Sequence, residues 1–254
     1  MRYYFALFLG LNICFAIGCK EKSPTAPVPQ GEVVGAIQLF DSDGKLLSSA
    51  SGVMVSVSGS DKTTQTDDSG KWAISGLEEG EHTFTFTKSG FGAMKIIDLA
   101  IGTTTIADTI EMAEPPQEII NFQKFSITIS PADSLPTYNA IGTLPRPFLD
   151  NRAIVFCIGT DSAALAMDPE SAMTQLAFST PGSGYDGSFM WSSTNSLSLQ
   201  RDSIGHGKRF FACLCVAGKG PDGDDFSHYY DPSLQKEVYT SLGRRSQILN
   251  AVMP

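Results

Sequence analysis

The stretch TDDSGKWAISGLEEGEHTFTF, residues 66–86, decides the fold because it alternates apolar and polar residues between tight turns. Trp72 and Ile74 share one face of its first run, and Phe84 and Phe86 share one face of its second run. A period of two is typical of half-buried β-strands. The glycines between the runs let the chain reverse direction. We therefore predict two half-buried strands of an antiparallel β-sandwich.

The same pattern continues on both sides of this stretch, from residue 31 to residue 113. Apolar residues alternate from Val33 to Leu39 and from Val53 to Val57, and turn sequences rich in Gly, Asp and Ser separate the runs. Many short strands at regular spacing favour a β-sandwich. We predict a first sandwich domain over 31–113.

Three motifs within this domain resemble the carboxypeptidase regulatory-like domain. They are TDDSGKWAI at 66–74, GLEEGEHTF at 76–84 and KSGF at 88–91, in the family's order and spacing. The resemblance implies a transthyretin-like β-sandwich that serves as a spacer or docking module and has no catalytic residues of its own. It also implies that Asp67 accepts backbone hydrogen bonds across a turn.

A second domain is predicted over 118–254, after the stiff linker Glu-Pro-Pro-Gln at 114–117. A short helix is expected at 161–167, where Asp161 or Ser162 would cap an Ala/Leu run. Strand-like stretches lie at 122–129, 153–158, 175–179, 188–191, 209–217 and 246–253. The fold class is therefore all-β, with two antiparallel β-sandwich domains in tandem.

The run from Lys208 to Gly220 is apolar on both faces, which predicts a central strand of a packed sheet. With the last strand-like run after it, the end of the chain resembles a fibronectin type III or immunoglobulin-like module. This likeness covers about the last 50 residues.

The N-terminus reads as a signal peptide over 1–18, with Arg2, an apolar run and small residues before Cys19. The residues AIGC at 16–19 resemble the lipobox of bacterial lipoproteins. The resemblance implies lipidation of Cys19, cleavage before it, and anchorage at the outer membrane or cell surface. Residues 19–30 contain three prolines and predict an extended, flexible tether.

The chain is acidic, with a formal net charge of −9 over 254 residues. Residues 31–113 carry 12 acidic and 5 basic side chains, so this domain holds most of the imbalance. Such a chain without a basic stripe repels phosphate backbones. We therefore expect no nucleic-acid partner.

Three cysteines fall in the predicted second domain: Cys157, Cys213 and Cys215. Cys213 and Cys215 are two apart in a strand-like run, so they face the same side. An exported protein can form disulfides, and Cys157 would pair with Cys213 or Cys215. The favoured interpretation is that all three are small buried apolar residues.

No catalytic motif is found, whether a zinc-binding HxxE, a GxSxG elbow or a phosphate-binding loop. We expect no cofactor and no resident metal. The acidic cluster Asp222, Asp224 and Asp225 is the best calcium candidate, but a solvated loop is the favoured interpretation. The run Asp41-Ser42-Asp43-Gly44 is expected to be a plain turn.

These observations favour a non-catalytic surface lipoprotein that binds or scaffolds an unknown protein or glycan, with the membrane as its second partner. One alternative is an enzyme or enzyme accessory whose site includes Asp224, Asp225, His228 and Tyr230. Another is a component of an outer-membrane uptake assembly.

Overall fold

The computed structural model describes residues 28–129, 136–145, 152–172, 174–180, 188–193, 207–218 and 228–253. The predicted signal peptide, most of the tether and Cys19 lie outside these residues. In the described part of the chain, no helix is long and apolar enough to cross a membrane.

The chain is all-β, and its first eight strands form two facing sheets. These strands are β1 Gln30–Phe40, β2 Met54–Val57, β3 Thr63–Gln65, β4 Lys71–Glu78, β5 Gly80–Thr87, β6 Met94–Ile101, β7 Thr104–Ile106 and β8 Ile110–Ala113. One sheet has the order β4-β1-β7, with β8 also on β1, and the other has the order β3-β2-β5-β6. The predicted alternation is confirmed, because Val33, Val55, Trp72, Phe84 and Phe86 are all buried between the sheets.

Two pairings in this sandwich differ from the antiparallel prediction. The long strand β1 pairs in parallel with β7 through Glu32–Val34 and with β8 through Ile37–Phe40. Strands β7 and β8 follow β6, which lies in the other sheet, and both rejoin β1 in the parallel direction. Local periodicity predicts a strand and its buried face, but not the direction of its partner.

The remaining strands build a second pair of sheets and a hairpin. They are β9 Asn121–Ile129, β10 Pro136–Thr143, β11 Arg152–Gly159, β12 Thr174–Thr180, β13 Ser188–Ser193, β14 Arg209–Val216, β15 His228–Asp231, β16 Lys236–Tyr239 and β17 Leu249–Val252. The sheet β13-β10-β9 faces the sheet β12-β11-β14-β17, and β15 and β16 form the hairpin. Strand β14 lies between β11 and β17 with both faces buried, which confirms the predicted central strand.

The short helix α1, Ser162–Met167, is also confirmed. The Asp161 carboxylate accepts hydrogen bonds from the backbone N–H of Ala163 at 2.7 Å and of Ala164 at 3.4 Å. Strands β10, β15 and β16 were not predicted. Their sequences mix polar residues, proline and aromatics without a clean period of two, so they carry little local signal.

The β15–β16 hairpin and the segment after it connect the second sandwich to the first. Tyr229 packs against the first core, and the Lys95 ammonium lies 5.5 Å from the centre of its ring. The Thr240 hydroxyl donates to the Met94 sulfur at 3.2 Å. These contacts join parts of the chain that are more than 130 residues apart in sequence.

Gly92 lies against the backbone of Ser241 at this interface. A Cβ at position 92 would lie 2.0 Å from the Ser241 backbone nitrogen. Any side chain at position 92 therefore has to push the two sandwiches apart or distort Ser241.

We expect Gly92→Ala to lower the free energy of unfolding by about 1–3 kcal/mol, the usual cost of overpacking. Chemical denaturation measures this cost, and limited proteolysis near the 114–117 linker should become faster. Gly102→Ala is the matched control, because a Cβ there meets no atom within 4 Å. Equal stability of the two variants would contradict the close approach.

Candidate functional site

A depression of about 660 Å³ opens on the first sandwich. Strands β1, β3, β4 and β7 line it, together with the segment that follows β7. Its apolar lining includes Val34, Ala36, Ala73 and Ile106, and Ile106 is 80% exposed. Ligand sites commonly have volumes of roughly 300–1,000 Å³ and a mostly apolar lining with a few polar groups. The depression has the size and lining of such a site.

Polar groups of the depression come from β3, from the turn between β3 and β4, and from the start of β4. They include Thr64, Gln65, Asp67 and Lys71. The Asp67 carboxylate accepts from the backbone N–H of Ser69 and of Lys71, each at 2.9 Å, and from the Ser69 hydroxyl at 2.7 Å. The bond from the Ser69 hydroxyl is the largest cause of a lowered Asp67 pKa. The role predicted for Asp67 is confirmed, and the turn holds a fixed negative charge in the depression.

Trp72 also lines the depression, although only 4% of its surface is exposed. Its ring packs on Phe84 and Phe86, with centroid distances of 5.8 and 5.5 Å. A Cβ on Gly35 would lie 2.7 Å from the indole ring, so glycine at this position makes room for the tryptophan. The indole N–H is buried and has no hydrogen-bond partner among the described residues.

The loop proposed as an enzyme site is only partly described. Asp222, Asp224 and Asp225 lie outside the described residues. His228 and Tyr230 are alternate residues of β15, and both face outward. The His228 ring stacks on Tyr239 at 5.2 Å between centroids, and its Nε2 lies 3.8 Å from a Glu237 carboxylate oxygen. Tyr230 is 53% exposed.

Residues Asp41 to Gly44 form a turn between two segments of the first sandwich. The Asp41 carboxylate accepts from the backbone N–H of Asp43 at 3.0 Å and of Lys45 at 2.9 Å, and Gly44 has φ of 80°. The predicted turn and the positive φ of Gly44 are confirmed, and one Asp41 carboxylate oxygen bonds to the backbone of the same turn.

The three second-domain cysteines converge in the structure. Cys157, Cys213 and Cys215 are fully buried, their thiols are free, and their sulfur atoms all lie within 4.8 Å of one another. The preference for three buried thiols is confirmed, whereas the disulfide between Cys157 and Cys213 or Cys215 stays a prediction. The sequence predicts that Cys213 and Cys215 share a face and that Cys157 could reach one of them, and the register of β11 on β14 places Cys157 directly opposite Cys213.

Electrostatics distinguish these three thiols. Hydrogen bonds from Cys157 and then Cys215 lower the pKa of Cys213, the positive charge of Arg245 adds to this effect, and burial opposes it. The same contacts with Cys213 are the largest cause of the raised pKa of Cys157. Hydrogen bonding within the cluster therefore favours the thiolate form of Cys213 over that of Cys157.

Comparison with known proteins gives structural likeness only. No family model and no curated protein matches the chain. The resemblances to the carboxypeptidase regulatory-like domain, the lipobox and the fibronectin or immunoglobulin module therefore stay predictions.

Solved structures with similar strands include a DUF3823 family protein from Parabacteroides merdae, at 14% identity and a TM-score of 0.27. That match covers 87% of this chain and 100% of the other. A candidate carbohydrate-binding protein from Bacteroides uniformis matches at 12% identity and a TM-score of 0.31, over 88% of this chain and 99% of the other.

A type II cohesin–X-dockerin complex from Acetivibrio cellulolyticus matches at 20% identity and a TM-score of 0.29. The match covers 32% of this chain, and the chain spans only 56% of that protein. Likenesses this low carry no inference about ligand or activity.

Proposed function

We propose that this chain is a non-catalytic, lipid-anchored binding or scaffolding protein that holds its ligand in the depression of the first sandwich. The observation that carries the proposal is the uncovered apolar lining around Ile106, bordered by Asp67 and Lys71. Exposed apolar surface in a depression of ligand size is typical of an interaction site. Anchorage rests on the sequence prediction for Cys19.

The lining favours a protein partner over a glycan. Sugar sites commonly present an aromatic face to the ring of the sugar, but the indole of Trp72 is almost wholly covered by the protein. A branched apolar side chain such as Ile106 instead suits an apolar side chain of a partner protein. The charges of Asp67 and Lys71 would then select a partner with a complementary polar edge.

The junction between the sandwiches supports a scaffolding role. The Gly92–Ser241 approach and the Tyr229–Lys95 contact join the first sandwich to the second across a large sequence separation. A partner held in the first sandwich would keep a defined orientation relative to the second.

The test is capture of native membrane proteins by the full chain and by two surface variants. Ile106→Arg places a charge in the depression, and Met190→Arg is a matched control because both side chains are 80% exposed. We expect Ile106→Arg to reduce capture of a specific partner at least tenfold, whereas Met190→Arg leaves capture unchanged. Equal capture by both variants would contradict the proposed site.

A parallel assay addresses the other hypotheses. Turnover of glycan, ester or peptide substrates by the purified chain would contradict a non-catalytic role. If the chain binds a glycan saturably and Ile106→Arg abolishes this binding, the proposed site is correct but its ligand is a carbohydrate and not a protein.

A further inference from the structure

The three buried thiols lie on the face of the second sandwich's larger sheet that turns away from the main core of that sandwich. Strand β11 supplies Cys157 and its neighbour β14 supplies Cys213 and Cys215. Small and apolar residues surround them, including Val155, Leu165 and Ala217. Helix α1 and the β15–β16 hairpin are close to this face, because Leu165 and Tyr239 pack in the same cluster.

The backbone register disfavours a disulfide within the cluster. The Ala217 N–H donates to the Ala153 carbonyl, and the N–H and carbonyl of Leu214 bond to Ser246 instead of β11. Because bonding alternates along an antiparallel ladder, Cys157 and Cys213 form a hydrogen-bonded pair. Cβ atoms of such a pair are about 5.5 Å apart, whereas a disulfide needs about 3.5–4.5 Å. Cys215 is diagonal to Cys157 and farther still.

The same spacing suits three thiolates around one metal ion. Metal–sulfur bonds of about 2.3 Å place the sulfur atoms of a shared ion about 3.8–4.0 Å apart. The three sulfurs already lie within 4.8 Å of one another. Side-chain adjustments of less than an ångström would therefore close the site.

The surroundings select the kind of ion. Among the described residues, no histidine or carboxylate joins the three cysteines. Zinc in closed sites takes four ligands, and the described residues around this cluster offer no fourth. Thiolates also select Cu(I), a soft ion.

Two positive side chains can balance the charge. Arg245 acts electrostatically on Cys213 and Cys215, and Lys236 acts on Cys157. Both are held by backbone carbonyls: Arg245 Nε donates to Ala166 at 3.1 Å, and Lys236 Nζ donates to Ala172. Three thiolates and a monovalent ion leave a charge of minus two, which Arg245 and Lys236 offset, although Asp168 and Asp231 also act on Lys236.

We propose that Cys157, Cys213 and Cys215 form a buried three-thiolate site for a soft monovalent metal ion of the Cu(I) class. Binding forms three metal–sulfur bonds and releases the thiol protons to solvent, without transfer of an electron. Since all three residues are fully buried, the ion enters as the chain folds or during a local opening.

The test uses the full chain carrying Cys14→Ser and Cys19→Ser, so that the three buried thiols are the only ones. The reduced chain is refolded anaerobically with Cu(I) and titrated with a chromophoric Cu(I) chelator. We expect one tightly held equivalent, luminescence from copper bound to thiolate, and a higher melting temperature than that of the metal-free chain.

Alanine at each cysteine provides the matched variants, because it keeps a small apolar side chain in the core. We expect each variant to weaken Cu(I) binding at least about tenfold. Replacing even a residue that only hydrogen-bonds a metal ligand typically lowers metal affinity by about 10–100-fold. Melting curves without metal show whether each variant folds. A further measurement needs no variant: bound Cu(I) should protect the three thiols of the parent chain from an alkylating reagent.

Four outcomes would overturn the proposal. The first is a Cys157 disulfide that forms in air, in a chain that also fails to retain Cu(I) when it is reduced. The second is Cu(I) binding that none of the three alanine variants changes. The third is alkylation of the thiols that Cu(I) does not slow, and the fourth is binding of Zn(II) but not of Cu(I). None of them depends on a ligand in the first-sandwich depression.

Discussion

Cys19→Ser is expected to move the protein from the membrane fraction to the soluble fraction. Each buried CH₂ group of an acyl chain contributes about 0.8 kcal/mol to membrane binding, and stable anchorage takes two chains or a second signal. A hydroxyl at position 19 removes the nucleophilic thiol to which the lipid would be attached. We therefore expect nearly complete loss of membrane association, measured by fractionation and immunoblotting.

Cys14→Ser is the matched control for this experiment. It makes the same chemical change five residues earlier, within the predicted leader, so the mature protein should be unchanged and stay in the membrane fraction. A Cys19→Ser protein that remains with the membrane would contradict anchorage through this cysteine. Mass spectrometry of the N-terminal peptide gives an independent readout of the lipid.

The strands whose burial alternates cleanly could be predicted from the sequence, whereas most contacts between distant strands could not. Trp72, Phe84 and Phe86 could be placed in the core because each lies in a period-two run bounded by turn residues. Asp161 could be placed at a helix start because its side chain satisfies free N–H groups there. Such signals are local and depend on a few neighbouring residues.

Contacts between distant segments could not be predicted in the same way. The parallel pairing of β1 with β7 and β8, the hairpin contact of Tyr229 with the first core, and the depression near Ile106 all depend on register and packing. The sequence offered Cys213 and Cys215 as alternative neighbours of Cys157, and the choice between them depends on the register of β11 on β14. A shift of one residue in the β11–β14 register would turn Cys157 to the opposite face of the sheet.

Phe156 provides the largest expected effect on stability. Its side chain is fully buried between the two sheets of the second sandwich. Its ring centre lies 5.4 Å from the centres of both Phe125 and Trp191 and 6.0 Å from that of Phe122, and all three contacts are edge-to-face. Alanine at this position would leave a cavity among three aromatic rings.

We expect Phe156→Ala to lower the free energy of unfolding by about 3–5 kcal/mol, the usual cost of removing a buried phenylalanine ring. At about 2–4 °C per kcal/mol, the melting temperature should fall by roughly 6–20 °C. Met167→Ala is the control: its side chain is 88% exposed, so its effect should stay within about 0.5 kcal/mol. A loss below about 1 kcal/mol for Phe156→Ala would mean that the two sheets do not pack through this ring.

Because Gly92 and Ser241 couple the sandwiches, we further expect the first sandwich to melt with the second in this variant. Combining Phe156→Ala with Gly92→Ala should separate the two transitions.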